Sequence, residues 1–343
     1  MNAADSSCKY YRILEMYLRL LDGEKITKKE EAERYGVDVR SIQRDLDALR
    51  VFLSGQQQGG FSQSVVYDWK VRGYVLRGNR KDLTREEALA LCKILLESRA
   101  FTKKQMESVV DKIIRSAVPR PDIEPVQQLV NNEKRYYEEL QHHDGELLEK
   151  IWGIGDAISR RCTLVIRYER RDGVEVERTV KPLSIMFSEF YFYLIAEMAD
   201  PEEAGLSRDR YRFPTVYRLD RVRSFEEGAP FKVDYSRRFQ SGEVRKRILY
   251  MFGGQLEHVV FEYIASDSVA HVLDRLPTAK IEKKELLDNG RTKYTISAEV
   301  YGLGGIRLWI RSQGPQIRVL APEQLVKETK EELQAALALY RET

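Results

Sequence analysis

TKKEEAERYGVDVRSIQRDLDAL, residues 27–49, has the spacing of two short helices joined by a tight turn. Thr27 followed by Glu30 fits a capping box that opens the first helix. Gly36 ends it where a positive φ is needed, and Asp38 can cap the second. From there Val39, Ile42, Leu46 and Leu49 recur at helical spacing and are expected to face a core. Arg40, Gln43, Arg44 and Asp47 then point outward. Arginine and glutamine pair with guanine and adenine edges in the major groove, so the layout predicts a DNA-reading helix-turn-helix. An amphipathic hairpin with a solvated polar face would give the same pattern.

Working outward, Lys9 to Leu21 carries Ile13, Met16 and Leu20 at helical spacing and predicts a preceding helix. Beyond the Arg40–Leu53 helix come Gly59-Gly60, then Val65-Val66-Tyr67 and Gly73-Tyr74-Val75-Leu76. Two short apolar runs about a glycine-bearing turn predict a hairpin in the position of a wing. Lys70, Arg72, Arg77 and Arg80 stand there against Asp68, and are expected to contact phosphates, which position without specifying sequence. Residues 83–150 read as a helical connector. One helix runs from Thr84-Arg85-Glu86-Glu87 to about Ser98, a second from Lys103 to Ala117 before Pro119 and Pro121, and a third from Leu147 to Ser159.

From Arg161 the apolar period changes to two. Leu164, Ile166 and Tyr168 alternate, Arg171-Asp172-Gly173 turns, and Val174 to Val180 returns. Phe190 to Ala196 and Val216 to Val222 predict two further strands of a small antiparallel β-domain. Between Arg160 and Arg223 lie twelve arginines and one lysine, interleaved with Tyr168, Phe187, Tyr191, Tyr193, Tyr211, Phe213 and Tyr217. A guanidinium pairs with phosphate through two parallel bonds and stacks on rings, whereas an ammonium is a point charge. Aromatic rings beside arginines form a platform for unstacked bases. Equally, such rings can fill a β-core, and Phe190 and Phe192 are assigned to that role.

Lys181-Pro182-Leu183, Phe192-Tyr193-Leu194-Ile195-Ala196 and Tyr217-Arg218-Leu219-Asp220-Arg221-Val222 together resemble a WYL domain, named for a Trp-Tyr-Leu tripeptide. That domain usually lies in bacterial transcription factors behind a winged helix of the DeoR-like type, which Ser41-Ile42-Gln43-Arg44-Asp45-Leu46 is similar to. The C-terminal part resembles the extension domain that often follows. The resemblance implies an Sm-like β-barrel with a basic surface that senses a nucleotide or single-stranded nucleic acid. It places Tyr193 at the centre of the tripeptide, with Lys181, Arg218 and Arg221 as effector contacts. It also implies a homodimer. Phe192 replaces the tryptophan, keeping bulk and losing an indole donor. Thr215 stands where many members carry another arginine.

Residues 245–343 predict a compact ferredoxin-like unit. The reading runs from a strand at Val259–Ile264 and a helix at Ser268–Leu276 to a hairpin about Asp288-Asn289-Gly290. A helix at Leu303–Arg311, a strand at Gln316–Leu320 and a closing helix from Pro322 to Tyr340 complete it.

Composition bounds the function. The 343 residues suit several domains, and the net charge of +3 excludes a polycation. Residues 1–80 carry 14 Lys/Arg against 11 Asp/Glu and residues 81–149 carry 11 against 14, so nucleic-acid contact rests on placement. Cys8, Cys92 and Cys162 are far apart, which implies a reducing compartment. Without an apolar span or a secretory h-region, a cytoplasmic protein with no membrane partner is expected. His142, His143, His258 and His271 form no zinc pattern, and phosphate-binding and nucleophile motifs are missing, so neither metal, cofactor nor enzyme activity is expected. Gly302 to Gly305 reads as a turn before a helix.

The expectation is therefore an α+β multi-domain protein. Residues 1–80 form a winged helix-turn-helix, 81–150 a connector, 151–235 the WYL domain and 245–343 the extension domain. Arg40, Ser41, Gln43, Arg44, Lys70 and Arg72 would contact double-stranded operator DNA. An accessory nucleic-acid-binding modulator of a defence nuclease system is the alternative, and an unmarked enzyme a further one.

Overall fold

The computed structural model describes residues 9–55, 63–78, 83–118, 120–140, 146–199, 213–232, 239–266 and 268–340. Cys8, Gly59, Gly60, Arg80, His142, His143 and Tyr211 lie outside them. The chain divides into two compact units, 1–141 and 142–343.

The first unit begins with α1 (Lys9–Leu21), α2 (Lys28–Tyr35) and α3 (Val39–Gly55). The Thr27 hydroxyl accepts from the Glu30 N–H, and Gly36 closes α2 at φ 63°. Asp38 Oδ1 accepts the Ser41 N–H at 2.8 Å and Oδ2 the Ser41 hydroxyl at 3.1 Å, which caps α3. These bonds hold the Asp38 carboxyl below its ordinary pKa, the Ser41 backbone bond most of all. Met16, Leu20, Ile42, Leu46, Leu49 and Leu53 form the core. Val39 does not join it and is 46% exposed. As the first residue of α3 it lies before the apolar stripe turns inward.

A hairpin of β1 (Gln63–Asp68) and β2 (Gly73–Gly78) follows. Its turn, residues 69–72, has no glycine, contrary to expectation, and Arg72 takes the left-handed position at φ 53°. Gly73 serves close approach instead. A Cβ there would stand 3.3 Å from the Ile26 carbonyl oxygen, and Ile26 and Tyr74 exchange backbone bonds of 2.8 and 2.7 Å.

Three helices then pack together: α4 (Arg85–Ser98), α5 (Lys103–Ala117) and α6 (Arg120–Arg135). Capping boxes at Thr84/Glu87 and Thr102/Gln105 start the first two. Helix α6 departs from the sequence reading, in which Pro119 and Pro121 ended helical structure. Proline is tolerated in a first turn, and one further proline, Pro125, lies inside the helix.

The second unit opens with α7 (Leu147–Arg160), then β3 (Cys162–Glu169), β4 (Glu175–Ser188), β5 (Tyr191–Met198), β6 (Thr215–Arg218) and β7 (Val222–Pro230). They form one antiparallel sheet ordered β6-β5-β4-β3-β7. Among the described residues its edge strands β6 and β7 are not paired, so the expected barrel is not closed. Two strand boundaries also differ. Strand β4 continues past Val180 through Lys181 to Ser188, its register shifting between Pro182 and Ser184, where proline supplies no ladder donor. The run Val216–Val222 is broken by a 3-10 turn at Leu219–Arg221. Leu219 is buried in that turn, and the buried Lys150 of α7 donates to the Val222 carbonyl just beyond it at 2.5 Å. Gly153 lets α7 close on the sheet, since a Cβ there would lie 2.6 Å from Phe225 Cζ.

After α8 (Ser241–Arg247), which the sequence reading lacks, come β8 (Leu256–Ala265), α9 (Ala270–Arg275), β9 (Lys280–Leu286), β10 (Thr292–Tyr301), α10 (Leu303–Ser312), β11 (Ile317–Ala321) and α11 (Glu323–Leu339). The second sheet is ordered β11-β8-β10-β9 and is antiparallel throughout. Phe261, Ile296, Ile306, Trp309 and Leu325 centre its core. Pro322 precedes α11 rather than lying in its first turn. No helix among the described residues is long and apolar enough to cross a membrane.

Candidate nucleic-acid interface and anion pocket

The outer face of α3 carries both exposed side chains and side chains held in hydrogen bonds. Arg40 and Arg44 are exposed, and neither forms an ion pair among the described residues. Ser41 is committed to the Asp38 cap. Gln43 is also engaged: its Oε1 accepts from Lys28 Nζ at 3.0 Å and from the Tyr74 hydroxyl at 3.3 Å, and its Nε2 donates to Asp47 at 3.0 Å. Reading a base with Gln43 would require exchanging those bonds.

On the hairpin, Lys70 and Arg72 are exposed at the tip, while Arg77 is bound to Asp68 at 2.5 Å. Asp68 also accepts the Lys70 N–H at 2.8 Å. That backbone bond first, and Arg77 second, hold the Asp68 carboxyl below its ordinary pKa. The proposed phosphate contact Arg80 lies outside the described residues. Sequence reasoning missed Trp69, which is 83% exposed at the tip and stands edge-on to Tyr67 at 4.8 Å between ring centres. A turn tryptophan beside basic residues was the available signal.

In the second unit a cavity of about 420 Å³ gathers Tyr193, Arg218 and Arg221 with Tyr168, Arg170 and Arg171. Strand register brings Tyr193 opposite Arg218. The Arg218 guanidinium carbon lies 3.5 Å from the centre of the Tyr191 ring, and its nitrogens hold Asp220 at 2.5 and 3.0 Å. Burial pulls the Arg218 pKa down, but the Asp220 carboxylate, Tyr191 and Tyr193 together outweigh it and the net direction is up. Burial raises the Tyr193 phenol, with Arg218 opposing. Both groups are therefore fixed in their proton-bearing forms at neutral pH. Arg221 forms no ion pair among the described residues and is open to an anion.

Lys181 is not part of this cavity; it faces Glu197 across the β4–β5 ladder. Arg171, placed in a turn by the sequence, and Arg170, one of the twelve arginines of that stretch, also line the cavity. So do Tyr250, Met251 and Phe252, which carry no periodic signal in the sequence. Phe190 departs from its assigned core role and is 37% exposed, while Phe192 is half-buried against Phe187 at 5.0 Å. Among the described residues no cluster of histidine, cysteine and carboxylate side chains can hold a metal ion.

A basic, aromatic-lined cavity on this sheet coincides with a recognisable domain. Residues 150–227 match the WYL domain family and residues 258–337 match the WCX domain family. The chain thus carries a WYL domain followed by a WCX domain. Among matching solved structures, proteasome accessory factor B/C (PafBC) of Arthrobacter aurescens is 18% identical with a TM-score of 0.30, over 96% of this chain and 48% of that one. The chain spans about half the length of that protein. A CRISPR Cas-related protein is 14% identical with a TM-score of 0.36, over 90% of this chain and 75% of the other. No curated protein matches the chain.

Proposed function

We propose that the chain is a ligand-responsive, DNA-binding transcriptional regulator acting as a homodimer, without catalytic activity. The observation that carries this reading is the pair of exposed arginines, Arg40 and Arg44, without an ion pair among the described residues, on a capped helix that follows a left-handed turn and precedes a basic hairpin. Residues 1–80 are read as the winged helix-turn-helix, with α3 in the major groove and Lys70 and Arg72 on phosphates. Residues 81–150 are a connector. The sheet of residues 151–235 is read as an opened Sm-like arrangement, and the unit at 245–343 as ferredoxin-like.

The cavity around Arg171, Arg218 and Arg221 is the effector site in this reading, and its ligand is a nucleotide or single-stranded nucleic acid. Guanidinium groups supply bidentate phosphate contacts, and the tyrosines supply ring faces. Effector binding must favour one dimer geometry over another for operator affinity to respond.

Binding of the purified protein to its own upstream intergenic DNA, against scrambled DNA at one salt concentration, tests the regulator reading. A sequence-dependent complex is expected. Equal, salt-sensitive binding to both DNAs would remove it, because that is the sequence-independent phosphate term alone. Arg221→Ala is expected to keep operator binding and lose the effector response; a full response in that variant would place the effector elsewhere.

A further inference from the structure

One wall of the anion cavity comes from a segment outside both matched domains. Tyr250 and Met251 are both left-handed, at φ 49° and 58°. Their turn is closed by the Phe252 N–H donating to the Leu249 carbonyl at 3.0 Å. Non-glycine residues hold that conformation when their surroundings impose it, and here both sides do. Met251 is buried with Met186 and Ile195 against the WYL sheet. On the opposite side Gly302, Gly304 and Gly305 receive the turn. A Cβ on Gly302 would stand 2.4 Å from the Gly253 oxygen, one on Gly304 2.7 Å from Phe252 Cδ1, and one on Gly305 2.2 Å from the Leu249 oxygen. The three glycines of Gly302-Leu303-Gly304-Gly305 are therefore a seat for this turn.

The clamped turn places Tyr250 and Phe252 in the cavity lining beside Tyr193 and Arg221, with the Arg275 guanidinium carbon 4.5 Å from the centre of the Tyr250 ring. Gly304 backs the Phe252 ring, and the Arg171 guanidinium carbon lies 5.9 Å from its centre. A bare phosphate chain needs only the arginines. A fixed Phe252 ring adds recognition for a flat ligand ring, and a cavity of about 420 Å³ has room for one nucleotide.

We propose that Phe252 is a specificity-determining residue that makes this pocket select a nucleobase-bearing anion over a bare phosphate chain. The proposal rests on reading the cavity as the effector site. It assigns base recognition to the connection between the two domains, with phosphate contact left to the WYL sheet.

The test uses the full chain and two probes, a 5′-phosphorylated tetrathymidylate and an abasic oligomer of the same length and charge. Phe252→Leu keeps an apolar contact with Gly304, Phe252→Tyr keeps the ring, and circular dichroism melting verifies that each variant folds. Wild type is expected to bind the base-bearing probe at least about tenfold tighter than the abasic one, the scale of one lost stacking contact. Phe252→Leu is expected to bring that ratio close to one, and Phe252→Tyr to keep it. Equal wild-type affinity for both probes, abolished by Arg221→Ala, would overturn the proposal and leave the anion site standing. A ratio unchanged in Phe252→Leu would likewise overturn it, because the base is then read elsewhere. Binding of neither probe by wild type would remove the nucleic-acid reading of the site and this proposal with it.

Discussion

Arg44 and Arg12 are the same residue type in opposite settings. Arg44 is exposed on α3 without an ion pair among the described residues, whereas Arg12 is 5% exposed and bound to Asp45 at 2.6 Å. A guanidinium free to find a base edge contributes about 1–3 kcal/mol of discrimination. Arg44→Ala is therefore expected to weaken operator binding by that amount for each half-site engaged and leave the melting temperature in place; an unchanged gel-shift titration would remove α3 as the reading helix. Arg12→Met should do the reverse. It strands the buried Asp45 carboxylate, and losing one partner of a buried pair costs about 3–5 kcal/mol. Denaturant unfolding should record that loss, with most of it recovered when Asp45→Leu is added. A single variant as stable as wild type would show that the pair does not hold α1 to α3. Arg44 was legible because it falls on the polar face of a capped helix, while Arg12 lies beside an apolar stripe that gives no hint of a buried charge. Gln43 shows the same limit, since its position was legible and its engagement by Lys28, Tyr74 and Asp47 was not.

Elements were legible where one period ran uninterrupted between turn signals, as in α1, α3, α5, β3 and β8. They were obscured where a local rule and a tertiary contact disagree. Prolines hid α6, and the seven polar-rich residues of α8 have no apolar period to read. The alternation of Val216–Val222 runs through a break that Lys150 and a buried Leu219 stabilise from outside the strand. Glycines mislead in the same way, because close packing and flexibility look alike in sequence. In α7 a Cβ on Gly155 would come no nearer than 4.0 Å to Ile185 Cδ1, whereas one on Gly305 would meet backbone at 2.2 Å. Gly155→Ala is therefore expected to stabilise the protein by up to about 1 kcal/mol, the helical cost of glycine. Gly305→Ala should destabilise it by about 1–3 kcal/mol through overpacking. Urea unfolding of the two variants checks both signs, and a neutral Gly305→Ala would mean that the turn at Tyr250–Phe252 yields easily.

For the whole molecule, the net charge of +3 over 343 residues cannot hold DNA by bulk attraction. Affinity must come from a few placed cations, and such contacts are countable. Each phosphate neutralised on duplex DNA releases counterions and adds about 0.9 to the slope of log affinity against log salt. Lys70 is exposed at the hairpin tip and is proposed to make one such contact per protomer. In a twofold dimer with both half-sites engaged, Lys70→Ala removes two contacts, so the slope should fall by about 1.8. A single protomer on DNA would lose about 0.9. Titrating wild type and variant against the same operator between about 50 and 200 mM salt therefore measures the binding stoichiometry together with the role of the hairpin. A fall near 0.9 would replace the dimer by a monomer on DNA. An unchanged slope would take the hairpin off the phosphates and leave α3 to carry the contact alone.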